Sequence, residues 1–152
     1  MCIRDSPWGA PITVIGENPD QVAEAQRQLV RIGIDHLAGS AIGELDSLAP
    51  AVPTRSYQRV TFAEVSDQAR LLDVRRQDEV AGGHIRGAKH IPLHSLVDRL
   101  HEVPQGKVWV HCASGFRASI AASILDRAGH EVVHIDDDFS NAEKAGLQVS
   151  GP

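Results

Sequence analysis

The sequence predicts an α/β protein, with a mainly parallel sheet flanked by helices on both faces. Two observations carry this. Short β-branched runs alternate with helical runs along most of the chain. The order strand, loop, helix, glycine stop, strand also occurs twice. Laid without gaps at an offset of 96 residues, "ITVIGENPDQVAEAQRQLVRIGIDHLAG" falls on "VWVHCASGFRASIAASILDRAGHEVVHI". Val14 then meets Val110, Ala25 meets Ala121, Leu29 meets Leu125, Arg31 meets Arg127 and Gly33 meets Gly129.

The elements follow in order. The first copy, residues 10–48, starts at a strand and continues into a helix from about Gln21 to Ile32. "APAVPT", Ala49 to Thr54, is a stiff, extended linker, because two prolines stand among small residues; the linker as a whole is placed at 49–56. The second copy, 57–150, has its own leading half. Gln58 to Val60 reads as a short strand. "TFAE" has the spacing of a capping box that starts a short helix. "RLLDV" is an apolar run of the buried-strand kind. "RQDEVAGGH" holds a short helix stopped by Gly82-Gly83. After a strand end at Ile91 and a break at Pro92, an amphipathic helix is expected from about Leu93 to His101. "KVWVH" is the central strand, Ser119 to Ala128 the next helix, "VVHI" another strand, and a last short helix lies near Ser140 to Lys144. The layout reads as half of one domain followed by one whole domain. A half-domain is expected to leave the apolar face of its helix exposed.

Composition narrows the function classes. Of 152 residues, 42% are hydrophobic and 23% charged, as in a globular protein. The net charge of −5 argues against nucleic-acid binding, which favours a basic stripe. No apolar run approaches the roughly 20 residues of a membrane span, and no signal peptide is visible. Two cysteines, Cys2 and Cys112, make neither a disulfide framework nor a zinc site. A reducing, cytoplasmic setting is expected. "MCIRDS" resembles the in-frame translation of a sequencing-library adapter. Residues 1–9 are therefore expected to be a non-native scar, Cys2 not to be native, and the chain to be a fragment.

The chemistry concentrates in "HCASGFR", His111 to Arg117. Ligands of parallel sheets bind at the carboxyl ends of the strands, where this loop sits. A tight loop running into a helix turns its main-chain N–H groups inward, and the helix adds partial positive charge. A thiol at Cys112 is expected to titrate below the free value of about 8.5. Gly115 permits backbone angles closed to other residues. Ala113 and Ser114 leave the bowl open, and Arg117 supplies a fork of donors for an oxyanion. The spacing favours a cysteine nucleophile for an anionic substrate over an inert buried thiol. Cysteine phosphatases and arsenate reductases use a seven-residue Cys-x5-Arg loop that wraps a tetrahedral oxyanion. This loop is one residue shorter, which suits a terminal sulfur carried as a persulfide. In the first copy Gly16 and Gln21 stand in place of Cys112 and Arg117, so that copy is expected to be inactive.

The stretch from about Tyr57 to Val149 resembles a rhodanese-like sulfurtransferase domain. "LLDVR" is similar to the family's Asp-x-Arg strand end. "GHIRGAKHIP" is similar to its Gly-His-Ile-x-Gly-Ala-x-x-Ile-Pro signature, and "HCASGFR" to its six-residue active loop. The resemblance implies that Cys112 accepts sulfur. It also implies that Ala113, Ser114, Gly115, Phe116 and Arg117 form the substrate cradle, with Arg117 on the donor's anionic end. The implied partners are a small anionic sulfur donor and a thiol or cyanide acceptor, with no cofactor. Residues 10–48 resemble the C-terminal half of an inactive rhodanese-like domain. Such tandems occur downstream of metallo-β-lactamase-fold domains in bacterial fusion proteins, which implies an upstream metal-dependent hydrolase or persulfide dioxygenase.

Other residues carry weaker expectations. Asp73 and Arg75 are expected to tie the loop network together, with Arg75 and Arg76 adding attraction for an anionic donor. His84 is read as a structural hydrogen-bonding histidine. His90 and His94 have zinc-like spacing, but Pro92 between them keeps them off one helix, and no metal site is assigned. His111 is expected to point away from Cys112, since strand neighbours face opposite ways. Asp136, Asp137 and Asp138 depart from the family's Gly-Gly and read as solvated loop charge close to the active edge. Ala142 stands where the family has Trp, at an expected cost of about 3–5 kcal/mol unless neighbours fill the space. Gln148 stands where proline is common. A sulfurtransferase, a non-catalytic docking or sensing module, and a cysteine phosphatase or arsenate reductase disfavoured by loop length all remain open at this point.

Overall fold

The computed structural model describes residues 9–48 and 56–151. They belong to two compact units that meet between Arg55 and Ser56. The expected scar and linker fall outside the described residues, except for Gly9 and Ser56.

The first unit is strand β1 (Ile12–Gly16), helix α1 (Pro19–Arg31), strand β2 (Leu37–Ile42) and helix α2 (Leu45–Leu48). β1 and β2 are parallel. Val14, Val22 and Leu29 form a small core. Ile15, Val30, Ile32 and Ile42 are exposed. α1 begins three residues after β1 ends. Asn18 is extended there, and its Oδ1 accepts the Gln21 N–H at 2.9 Å. Pro19 opens the helix with no N–H to satisfy.

The second unit carries the main sheet. Its strands are β3 (Gln58–Val60), β4 (Arg70–Asp73), β5 (His84–Ile85), β6 (Lys89–His90), β7 (Lys107–His111), β8 (Glu131–Ile135) and β9 (Val149–Ser150). Its α-helices are α3 (Gln77–Ala81), α4 (Phe116–Arg127) and α5 (Asn141–Lys144). The five-stranded sheet runs β3-β8-β7-β4-β6 with every pair parallel, so β7 lies at its centre. Alternation along the strands separates two cores. Leu72, Val108 and Val110 join Ala118, Ala121, Ala122 and Leu125 of α4 on one face. Leu71, Val133 and Ile135 join Phe62, Ile85 and Ala142 on the other. The small alanines let α4 lie close to the sheet.

Displaced by 96 positions, α2 coincides with α5 and α1 begins one residue before α4. The order strand, helix, strand, short helix is thus common to both units. The Thr61 capping box is present, closing a single 3-10 turn at Phe62–Glu64.

Two expectations are corrected and a third feature was not foreseen. Leu93 to His101 is not an α-helix. It is two 3-10 turns, Leu93–Ser95 and Leu100–Glu102, joined by further turns. Ser95, Val97 and Asp98 are weak helix formers, and the turns suffice to bury Leu96 and to pack Leu93 and Leu100 on the core. α4 starts at Phe116, three residues earlier than expected, because its first turn exposes Phe116 and so lacks an apolar periodicity. The third is the antiparallel pair β5–β9, too short to show as alternation. Among the described residues, no helix is long and apolar enough to cross a membrane.

Candidate active site

Cys112 follows the last residue of β7, at the carboxyl edge of the sheet. Its side chain is 1% exposed and belongs to the core that faces α4. The chain then turns through Ala113, Ser114 and Gly115 into α4. Gly115 has φ of +84°, and a Cβ there would run into the Asp136 carboxylate. Glycine is therefore required twice over, by backbone angle and by space.

Neighbouring segments hold the loop. Phe139 N–H donates to the Ala113 carbonyl at 2.8 Å. Buried His134 donates from Nε2 to the Gly115 carbonyl at 3.0 Å. Ser114 forms an isolated antiparallel bridge with Asp138. All of these fix the backbone. No side chain caps α4. Among the described residues, no hydrogen bond uses the main-chain N–H of Ala113, Ser114, Phe116 or Arg117. Those donors, at the positive end of a 12-residue helix, suit an anion.

Arg117 is not free as expected. Its Nη1 and Nη2 donate to the two oxygens of Glu79 at 2.6 and 2.7 Å. This fork raises the pKa of Arg117, with smaller help from the charges of Glu79, Cys112 and Asp73 and against the effect of burial. The same hydrogen bonds hold Glu79 down to about 2, against its own partial burial. Glu79 escaped the sequence reading, because 38 positions separate the partners and no spacing rule links them.

Asp73 and Arg75 do tie the network together. The buried guanidinium makes three contacts to the Asp73 carboxylate, two at 3.0 Å from Nε to both oxygens and one at 2.7 Å through Nη2. It also donates to the Gly83 carbonyl and lies 3.6 Å from the centre of the Phe139 ring. Arg75 is 4% exposed, so it does not attract a donor from solution. Arg76 is exposed and paired with Asp78. His84 is exposed on β5. Its main chain pairs with Ser150, and among the described residues its side chain makes no hydrogen bond. The hydrogen-bonding histidines of this region are His90, whose Nε2 lies 2.9 Å from the Arg75 carbonyl, and His134.

His111 points away from Cys112, into the opposite core. It sits between Phe62 and Phe139, stacked on the latter. It is fully buried, neither ring nitrogen has a hydrogen-bond partner, and its Nε2 lies 3.9 Å from Asp73. Burial pushes its pKa down to about 4, with Asp73 opposing and Arg75 assisting.

The Asp136-Asp137-Asp138 run is not merely solvated loop charge: Asp138 is exposed and Asp136 and Asp137 are half-buried, and all three are tied down by hydrogen bonds or an ion pair. Asp136 pairs with Arg59. Asp137 accepts from the Phe62 N–H at 3.0 Å and from Asn141 and the Asp138 N–H. Asp138 accepts from the Ser140 N–H. Hydrogen bonds from Asn141 and Ser140 hold Asp137 and Asp138 below the usual carboxylate range. Ala142 is fully buried in a core that includes Phe62, Phe139 and Leu147. The Gln148 carbonyl accepts the Arg86 N–H at 2.8 Å, a main-chain role that proline also permits. Beside the loop lies an open groove of about 480 Å3, lined by Tyr57, Arg59, Ser114, Gly115, Phe116 and Asp136, with Phe116 67% exposed.

A parallel sheet whose central strand leads into a buried cysteine and a loop of unused main-chain N–H groups defines a class of α/β domain. The model of the rhodanese-like domain matches residues 61–145, and the chain belongs to that family. It is 32% identical over 125 residues to an HTH-type transcriptional regulator of Mycobacterium tuberculosis, covering 80% of this chain and 55% of that protein. It is 30% identical over 84 residues to a protein named sulfurtransferase from Allochromatium vinosum, covering 54% of this chain and 78% of the other. A rhodanese-like domain protein from Staphylococcus aureus superposes with a TM-score of 0.54 at 25% identity, covering 62% of this chain and 99% of that one. The chain spans about half the length of the first curated relatives it matches.

Proposed function

We propose that the second unit is a rhodanese-type sulfurtransferase that carries sulfur on Cys112. The Cys112 thiolate attacks the outer sulfur of a thiosulfate or persulfide donor. The bond between the donor's two sulfurs breaks, and the electron pair leaves on sulfite or on a thiolate. A thiol or cyanide acceptor then attacks the outer sulfur of the Cys112 persulfide and regenerates the thiolate. The main-chain N–H groups of residues 113–117 hold the negative charge during both steps. With 1% of its surface exposed, Cys112 meets a donor only inside the loop, out of bulk water.

The single observation that carries this reading is the uncapped loop. A buried thiol starts a loop whose main-chain N–H groups at Ala113, Ser114, Phe116 and Arg117 enter no hydrogen bond among the described residues. The family and the sulfurtransferase relative support it. The first unit is, in the same reading, a silent copy of the half that bears the loop, with Gly16 and Gln21 at the two reactive places.

The test is intact-mass analysis after exposure to thiosulfate and to glutathione persulfide. Wild type gains one sulfur atom and returns it to cyanide or thiol; Cys112→Ser gains none. Absence of both loading and turnover across the donors overturns the reading.

A further inference from the structure

Three guanidinium groups lie around the loop, and each is matched by a carboxylate: Arg117 with Glu79, Arg75 with Asp73, and Arg59 with Asp136. Asp137 and Asp138 add two carboxylates that are in no salt bridge among the described residues. They accept only neutral N–H groups. These three positive and five negative side chains sum to two negative; Arg76 adds a longer contact to Glu79 at 3.5 Å but is itself paired with Asp78, and the charge of Lys144 acts on Asp138. The loop can solvate an anion through its amides, but no side chain stands ready to neutralise one.

This bears on the choice of donor. Thiosulfate carries two negative charges, and one end of it is a sulfonate. The fork to Glu79 takes two of the five N–H donors of Arg117 and offsets its charge, so a sulfonate seated on Arg117 meets a guanidinium already matched by a carboxylate only 24% exposed. An alkyl persulfide brings at most one negative charge to the reacting end and needs no guanidinium.

Resting on the sulfur-transfer reading above, we propose that Glu79 is a specificity-determining residue, which withholds Arg117 from dianionic donors and makes the site select alkyl persulfides over thiosulfate. Glu79 acts through Arg117 and is a positioning residue. The selected reaction is balanced: the Cys112 thiolate takes the outer sulfur of R–S–SH, the S–S bond breaks, R–S⁻ departs with the electron pair, and Cys112 becomes Cys–S–SH.

The experiment compares kcat/KM for glutathione persulfide and thiosulfate in the wild type and in Glu79→Gln, which keeps shape and loses charge. Wild type is expected to favour the persulfide by at least about tenfold, with the gap narrowing as salt rises. In Glu79→Gln the thiosulfate-to-persulfide ratio is expected to rise about tenfold. Asp138→Asn, on the exposed edge, is expected to move it the same way by about twofold, and keeps the test open if Glu79→Gln does not fold. A ratio that stays fixed while both rates fall together overturns the assignment and makes Glu79 only a prop for Arg117. A wild type that uses thiosulfate as well as persulfide overturns it too. Intact-mass loading of Cys112 separates the two levels. Loading with an unmoved ratio sinks the role of Glu79 alone, and no loading from any donor sinks sulfur transfer itself.

Discussion

The chain contains one strand–helix–strand design twice, and the two copies treat the helix entrance in opposite ways. In the first unit Asn18 caps α1, Pro19 removes an N–H, and the Glu17 N–H donates to the Gln21 side chain at 3.0 Å. Every feature closes the entrance with the protein's own atoms. In the second unit Gly115 stands at the cap of α4, no side chain caps the helix, and the loop is held by bonds to its carbonyls and by the Ser114–Asp138 bridge. The same scaffold is thus sealed in one copy and left open in the other. On the proposed function, reactivity is expected to depend on the open entrance as much as on the cysteine.

The comparison is broken most directly by moving the reactive pair. In a Cys112→Ser background, Gly16→Cys with Gln21→Arg is expected to restore no sulfur loading. The capped entrance leaves no amides for an anion, and a Cβ at Gly16 would meet Val22 at 2.9 Å. Loading at position 16, seen by mass spectrometry, would show that the cap is irrelevant.

Closing the open copy is the next largest effect. Gly115→Ala is expected to reduce turnover about 100-fold and stability by about 1–3 kcal/mol, read by donor kinetics and urea unfolding. An alanine variant with wild-type turnover would mean that the loop adapts.

A third measurement concerns the buried imidazole behind the loop, which has no counterpart of its kind in the first unit, where Ile15 occupies the place. The unfolded histidine titrates near 6.5 and the folded one near 4. Its contribution is whole above pH 6.5 and is lost as pH falls from 6.5 towards 4, because the unfolded chain takes up the proton first. The loss is expected to reach about 2–3 kcal/mol by urea titration. His111→Leu is expected to flatten that window, leaving the Glu79 loss between about pH 4.5 and 2.

The smallest effect is on the sealed side. Asn18→Ala is expected to cost about 1 kcal/mol in the first unit, measured by hydrogen exchange along α1, with sulfur transfer unchanged.

Much of this was legible in the letters. The apolar run "RLLDV" located β4, β-branched runs located β7 and β8, glycines marked the ends of α3 and α4, and the position of Cys112 after "KVWVH" located the loop. Local signals sufficed there, since each element is specified by its own residues. What stayed hidden is long-range. Glu79 on Arg117, His134 on the Gly115 carbonyl and Phe139 under Arg75 join segments that meet only after the sheet has formed. The acidic run read as solvent-facing charge because its acceptors' partners, the Phe62 N–H among them, lie far away in sequence. The segment after Pro92 misled for a different reason: leucines at helical spacing are served equally well by successive tight turns.

The loop is anchored through the carbonyls of Ala113 and Gly115 and through the backbone of Ser114, while the side chains of Ser114 and Phe116 point into solvent. Shape and surface chemistry are therefore inherited separately. Substitutions at 114 and 116 are expected to change the outer surface of the loop with no refolding of the cradle beneath.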